Sequence, residues 1–279
     1  MTGASHPLDA DLLDAVAQFA ALAAPGHPLL VASDFDGVLS PLVDDPSASR
    51  MTPTAAAALT RLAEVPDDRL RLALVSGRTL DSLGALALAP PGTVLVGSHG
   101  AERGEMLPTA PGIARTPFEL SAREADLLAR VTSGLAEIAS GVEGAWVEHK
   151  PSAAVLHTRL AAPADGERAA EAGHSLGTEL GAHTMRGQDV VEIAVVAASK
   201  GQALTVLRLE LAAAAVFYMG DDVTDERAFE VLGPGDLTVK VGPAATAARF
   251  RVATTDDAVA VLVALADALS TEASQGGHD

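Results

Sequence analysis

Two aspartates spaced i, i+2, Asp34 and Asp36, follow the apolar run Pro28–Ser33 and precede Gly37. Side chains two apart on a strand point the same way, so both carboxylates converge at the strand's C-terminal end. Such like charges are costly together unless a cation, a shared proton or hydrogen bonds offset them. One reading is the start of a Mg²⁺ site, because Mg²⁺ takes hard oxygen ligands and keeps several waters. The other is a buried strand ending in a turn capped by aspartates, with Gly37 supplying the turn conformation. Three further clusters, Ser76-Gly77-Arg78, Lys200 and Asp221/Asp222/Asp225, favour the first reading.

The elements that would carry these clusters alternate. Apolar runs predict strands ending at Ser33 and over Leu70–Val75, Thr93–Gly97, Ala213–Met219 and Leu237–Val241, with a short one at Arg251–Ala253. Helical spacing predicts helices over 8–23, 52–64, 79–88, 200–212, 224–232 and 255–269. Thr52-Pro53 is a start signal, threonine as cap and proline at the first position. Strand alternating with helix implies an α/β fold with a doubly wound, Rossmann-like parallel sheet. In such sheets the ligand lies outside the carboxyl ends of the strands. All four clusters could therefore meet at one edge.

The rhythm changes after Glu102. Residues 103–118 read as a loop rich in Pro and Gly, and the capping box Ser121-x-x-Glu124 opens a helix to Ser140. Strands over 145–150 and 153–160, a helix over 163–180 and strands near 183–185 and 190–195 follow. We read an inserted α+β domain over 105–195. The core is 28–104 and 196–270, preceded by an N-terminal helix within 1–27 and followed by a disordered tail, 271–279.

Composition sets outer limits. The 279-residue chain is 48% hydrophobic but only 3% aromatic, so Ala, Leu and Val fill its core. A net charge of −18 argues against nucleic acid or an anionic membrane as partner. A phosphorylated substrate needs only a local cluster of cations. With no cysteine, disulfides and thiolate chemistry are excluded. Residues 1–14 show no secretory pattern and no run spans a membrane, so a soluble cytoplasmic protein is expected, as a monomer.

Weighed singly, the signals are modest. Ser76 alone reads as a helix cap. Lys200 alone reads as a solvated lysine, though a first-turn cation opposes the helix dipole. Asp222 and Glu226 read as first-turn acids, and Glu148, Lys150, His157 and Arg159 as an ion-pair ladder on two adjacent strands. Together, the core clusters supply a carboxylate nucleophile, a metal site, charge neutralisation at Ser76, Gly77 and Lys200, and a second carboxylate for proton transfer. That is the inventory of phosphoryl transfer.

The ordered motifs also resemble the haloacid dehalogenase-like phosphohydrolases. They are Asp34-Phe35-Asp36-Gly37, Ser76-Gly77-Arg78, Lys200-Gly201 and Gly220-Asp221-Asp222-Val223-Thr224-Asp225. Within that superfamily, Gly97-Ser98-His99-Gly100-Ala101-Glu102, Glu148-His149-Lys150, His157-x-Arg159 and Val241-Gly242-x-x-x-Thr246-Ala247-Ala248 resemble the trehalose-6-phosphate phosphatase family. The resemblance implies that Asp34 is the nucleophile and Asp36 the acid and base. It implies a Mg²⁺ cofactor held by Asp34, the Asp36 carbonyl and Asp221. Ser76, Gly77 and Lys200 would bind phosphoryl oxygens, with Asp222 and Asp225 in support. The insertion would be a mobile cap. Arg78, Glu102, Glu148, Lys150, His157, Arg159 and Glu192 would contact the sugar or order the cap.

The chain departs from the family pattern at Val38, Ser98, Thr158 and Ala194-Val195, without losing a catalytic group. The expected activity is hydrolysis of trehalose 6-phosphate through an aspartyl-phosphate. A phosphatase for another sugar phosphate, of glucosylglycerol or sucrose type, and a non-catalytic sugar-phosphate sensor are the alternatives.

Overall fold

The computed structural model describes residues 8–43, 45–108 and 112–275, and strand and helix alternate along its first stretch. That stretch runs through α1 (Ala10–Ala20), β1 (Leu29–Ser33), α2 (Pro53–Leu62), β2 (Leu70–Val75), α3 (Leu80–Ala87), β3 (Val94–Gly97), β4 (Glu102–Met106) and β5 (Ile113–Arg115). The middle stretch holds α4 (Ala122–Ser140), β6 (Trp146–Lys150), β7 (Ala153–His157), α5 (Pro163–Leu180), β8 (His183–Gly187) and β9 (Val190–Ala194). The last carries α6 (Lys200–Glu210), β10 (Ala215–Gly220), α7 (Val223–Val231), β11 (Leu237–Val241), β12 (Phe250–Val252) and α8 (Thr255–Gln275). The chain forms two compact units, one of residues 1–116 with 199–279 and one of Pro117–Ala198.

The first unit is an α/β sheet of eight strands in the order β12-β11-β10-β1-β2-β3-β4-β5. From β12 to β3 every pairing is parallel, and β4 and β5 close one edge antiparallel. A parallel sheet is covered on both faces, so its strands are apolar throughout rather than alternating. All five residues of β1 are buried. Leu29 and Val31 join the cluster that includes α1, α2 and α8, while Leu30 and Ala32 join the one that includes α6 and α7. Each such Leu or Val contributes about 1.5–3 kcal/mol by leaving water. The Thr52-Pro53 start holds, with Thr52 Oγ1 accepting from Ala55 N at 3.2 Å.

Two expectations change. Residues 103–118 are not all loop: β4 and β5 form an antiparallel hairpin on β3, so this segment extends the first unit's sheet. The signal was a period of two, since Glu102, Gly104 and Met106 are buried while Glu105 is exposed. Gly104, Pro108 and Gly112 masked it. Residues 109–111 lie outside those described. The final helix also passes Leu269 and ends at Gln275. Within it, Ser270 and Thr271 donate their hydroxyls back to Ala266 O and Asp267 O, the bonding available to these residues inside a helix. The rest of the expected tail, 276–279, and residues 1–7 lie outside the described residues.

The second unit is a four-stranded antiparallel sheet, β6-β7-β9-β8, with α4 and α5 on one face. Ala154, Leu156, Val191 and Ile193 point to the helices and pack with Val131, Leu135, Ala169 and Ala170. By strand alternation, Trp146, Glu148, Lys150, His157 and Glu192 lie on the opposite face.

Candidate active site

The register of the parallel strands brings their carboxyl ends level. Ser33 pairs with Met219 on β10 and with Leu74 on β2, so Asp34, Gly220 and Val75–Ser76 leave the sheet side by side. Asp34 N donates to Met219 O at 2.9 Å, which extends the ladder one residue past β1. The turn beyond is held by Phe35, Val38 and Leu39, all fully buried. Gly37 has φ +73°, and a Cβ there would overlap the Asp221 carboxylate, so a side chain is excluded on both counts. Asp221 therefore lies against the Asp34–Gly37 turn.

Lys200, the first residue of α6, is 1% exposed and sits among carboxylates. Its Nζ is 2.7 Å from Asp34 Oδ2, 2.8 Å from Asp225 Oδ1 and 4.0 Å from Asp222 Oδ1. Burial alone would lower the lysine's pKa, but Asp34, Asp225 and Asp222 outweigh it and hold the ammonium charged. Burial pushes the Asp34 carboxyl well up, against the pull of Lys200. Asp225 is raised for the same reason. Its remaining acceptor capacity is taken by Tyr218, whose hydroxyl donates to Oδ1 at 2.6 Å, and by Asp222 N, which donates to Oδ2 at 3.0 Å. Asp222 caps α7 and accepts from Thr224 N at 2.8 Å and Thr224 Oγ1 at 2.7 Å. Burial would raise Asp222 too, but Lys200 and the Thr224 donors lower it to about 2.

Asp36 is held differently. Arg78 donates from Nε to Oδ2 at 2.6 Å and from Nη2 to Oδ1 at 2.7 Å, a bidentate pair. Ser49 Oγ donates to Oδ1 at 2.8 Å and is itself 2.6 Å from Ser40 Oγ. Arg78, expected on substrate, thus grips Asp36. Ser76 is buried beside this pair, and its Oγ accepts from Arg78 N at 3.2 Å. His99 N donates to Ser76 O at 3.0 Å, and the His99 ring packs on Gly77. Glu102 is also buried: its Oε2 accepts from Ser98 Oγ at 2.6 Å and from Leu80 N at 3.3 Å, tying the β3–β4 turn to α3.

The donor set suits a hard divalent cation. Oxygens of Asp34, Asp222 and Asp225 lie within 4.8 Å of one another, yet the last two are engaged by the amides and hydroxyls just described. Asp221 is the better ligand. Among the described residues no donor reaches its carboxylate, and burial with the repulsion of Asp222 and Asp225 raises it to about 7. A cation would relieve that repulsion. Asp34 and Asp221, with the Asp36 carbonyl, fit Mg²⁺, which binds through one or two carboxylates and keeps waters.

In the second unit, Lys150 Nζ lies 2.7 Å from Glu192 Oε2, and His157 Nε2 lies 2.9 Å from Glu148 Oε2. These four expected contact residues share one sheet face. Arg159 lies past the end of β7 and lines a cavity of about 420 Å³ with Glu167, Arg186 and Asp189. Sequence reasoning missed Trp146, whose ring stacks on His157 at 4.7 Å and 6°. Its i, i+2, i+4 spacing with Glu148 and Lys150 was the available signal. It also missed Tyr218, hidden in an apolar run, Ser49, and the buried Lys240, whose Nζ reaches Asp221 O at 2.7 Å.

A sequence model of the trehalose-phosphatase family matches residues 32–257. Among curated relatives, the trehalose-phosphate phosphatase of Mycobacterium ulcerans is 33% identical over 228 residues, covering 78% of this chain and 56% of that protein. That of Mycobacterium avium is 34% identical over 217 residues, covering 76% and 53%. The chain thus spans about half the length of the curated relatives it matches. Among solved structures, the C-terminal domain of Candida albicans trehalose-6-phosphate phosphatase superposes with TM-score 0.70 at 20% identity, covering 96% of this chain and 99% of that one. Aspergillus fumigatus trehalose-6-phosphate phosphatase superposes with TM-score 0.65 at 24% identity, covering 95% and 99%. At those identities the structures speak for the fold alone. Among the described residues, no helix is long and apolar enough to cross a membrane.

Proposed function

The chain belongs to the trehalose-phosphatase family, and from that premise we propose that it hydrolyses trehalose 6-phosphate to trehalose and phosphate with Mg²⁺ and an aspartyl-phosphate on Asp34. The observation that carries the reading is the buried ammonium of Lys200 between Asp34 and Asp225, 2.7 and 2.8 Å away. It fixes a carboxylate nucleophile beside a permanent cation, at the sheet edge where ligands bind.

In this reading an Asp34 carboxylate oxygen attacks phosphorus as the bond from phosphorus to the sugar oxygen breaks. Asp36 gives its proton to the departing oxygen. For this it must enter the step protonated, with an Arg78 or Ser49 donor displaced from one of its two engaged oxygens, and the proton it later takes from water restores that form. Asp36 then takes a proton from the water whose oxygen attacks phosphorus, and the Asp34–phosphorus bond breaks. Lys200 and the Ser76–Gly77 turn bind phosphoryl oxygens, while Asp225 and Tyr218 hold Lys200 in line. Mg²⁺, held by Asp34, the Asp36 carbonyl and Asp221, would offset the negative charge of the phosphoryl group. The insertion acts as a cap, with Trp146, Glu148, Lys150, His157 and Glu192 as its sugar-contacting face. Rings and paired charges on one sheet face suit a neutral disaccharide better than a second phosphate.

The test is phosphate release from trehalose 6-phosphate with Mg²⁺, beside glucose 6-phosphate, sucrose 6-phosphate and Asp34→Asn. Release from trehalose 6-phosphate alone, lost in the variant, is expected. Release from a different sugar phosphate moves the substrate and keeps the mechanism. No release from a folded protein that binds the sugar phosphate would make it a sensor.

A further inference from the structure

Lys240 stands on an interior strand of the sheet, and all five residues of β11 are buried. It is 1% exposed, and its register partner is Gly220, the residue before Asp221. Its Nζ donates to Asp221 O at 2.7 Å and to Asp222 O at 3.1 Å. These two carbonyls leave β10 where the chain turns into α7. The lysine is balanced in turn: Glu226 Oε1 lies 3.4 Å from Nζ and has no hydrogen bond of its own. The other Glu226 oxygen accepts from Ala247 N at 2.8 Å and Thr246 Oγ1 at 3.1 Å. A bracket therefore runs from the surface Thr246–Ala247 loop through half-buried Glu226 and buried Lys240 to the backbone of Asp221.

We propose that Lys240, braced by Glu226, is the positioning residue that aims the Asp221 carboxylate at the divalent cation. Asp222 and Asp225 fix each other through a reciprocal capping box. Asp221 has no such aid. Among the described residues nothing donates to its carboxylate, so its direction follows from its backbone, and Lys240 holds that backbone. A lysine placed only to fill a sheet would be poor design, because burying the ammonium costs several kcal/mol unless it is paired and hydrogen-bonded. Two carbonyls and one carboxylate meet that need here, and the shorter carbonyl contact is to Asp221 itself. Outer partners that orient a ligand typically change metal affinity by about 10- to 100-fold when removed.

The inference rests on the metal-dependent phosphatase reading, and its test separates the two. Calorimetric titration of the full chain with Mg²⁺ alone is compared for wild type and Lys240→Met, with melting temperatures measured in EDTA. The expected result is a Mg²⁺ dissociation constant raised about 10-fold or more. The KM for the sugar phosphate at saturating Mg²⁺ should stay within about 2-fold. A lower melting temperature with unchanged Mg²⁺ affinity would make Lys240 merely structural and overturn the inference alone. A wild type that binds no Mg²⁺ would overturn the metal reading and this inference with it. If Lys240→Met does not fold, Glu226→Gln carries the test, since it removes only the charge facing Lys240. Weaker Mg²⁺ binding there supports the bracket, and unchanged binding overturns it.

Discussion

Two lysines in this protein each hold a carboxylate at 2.7 Å, Lys200 with Asp34 and Lys150 with Glu192. The contacts are alike and their settings are not. Lys200 faces three carboxylates where parallel strands end, and its partners come from β1 and α7. Lys150 faces Glu192 across an antiparallel sheet, with side chains 7% and 13% exposed. Around Lys200 the carboxyls of Asp34 and Asp225 are pushed up chiefly by burial, and then by the neighbouring aspartates, against the pull of the lysine. A distance alone therefore says little about function. What separates the two settings is how many charged groups converge, three carboxylates on Lys200 against the Glu192 pair on Lys150.

The comparison breaks first at Asp34. Asp34→Asn keeps the shape and the acceptor for Lys200 but removes the proposed nucleophile. We expect kcat to fall by roughly four orders of magnitude or more, with unchanged circular dichroism. A variant that retains a tenth of the activity would reduce the Lys200 cluster to a structural ion network.

Lys200→Met comes next and strikes both function and fold. It leaves Asp34 and Asp225 buried without their cation, and breaking a buried pair in this way costs about 3–5 kcal/mol. We expect a lower urea midpoint and a kcat reduced at least about 100-fold. If instead KM alone rises, Lys200 is a binding residue, the role proposed for Lys150.

For Lys150→Met the expectation is reversed. KM for the sugar phosphate should rise about 10-fold, equivalent to ~1.4 kcal/mol, with kcat within a few fold. Glu192→Gln should give a smaller change of the same kind. Equal losses in kcat and kcat/KM would move this pair into the reacting centre and erase the contrast between the two regions.

The two regions were also unequally legible in the sequence. Asp34, Asp36, Ser76 and the Asp221–Asp225 run could be found because parallel strands must end at one edge, so polar residues just past apolar runs converge, and Lys200 stood out as a cation in a helix's first turn. The partners inside the sheet could not be found that way. Tyr218 reads as core, and Lys240 in Leu-Thr-Val-Lys-Val reads as the solvent face of a strand. A parallel strand between two neighbours has no solvent face, and that rule would have exposed Lys240 as a buried charge needing a partner. The Arg78–Asp36 pair joins residues 42 apart in sequence, and nothing local encodes it. The β4–β5 hairpin was hidden because glycine and proline mark loops more strongly than a weak alternation marks an edge strand.

Tyr218→Phe gives the smallest kinetic effect and the finest test of the contrast. The hydroxyl is fully buried and donates to Asp225 Oδ1 at 2.6 Å, the oxygen that also accepts from Lys200 at 2.8 Å. Removing it opens no sizeable cavity and leaves no orphaned acceptor, because Lys200 remains on Oδ1 and Asp222 N on Oδ2. The loss of one hydrogen bond to a charged group should cost about 1.5–3 kcal/mol in stability, read from the denaturation midpoint. The catalytic consequence follows from redundancy. If Asp225 aims Lys200 chiefly through the α7 capping box, kcat should fall only about 3-fold, an activation difference of ~0.6 kcal/mol. A fall of 100-fold would mean that the tyrosine, not the helix cap, holds the ammonium on line. The rigidity of the reaction centre would then come from the sheet interior rather than from the loop that ends it.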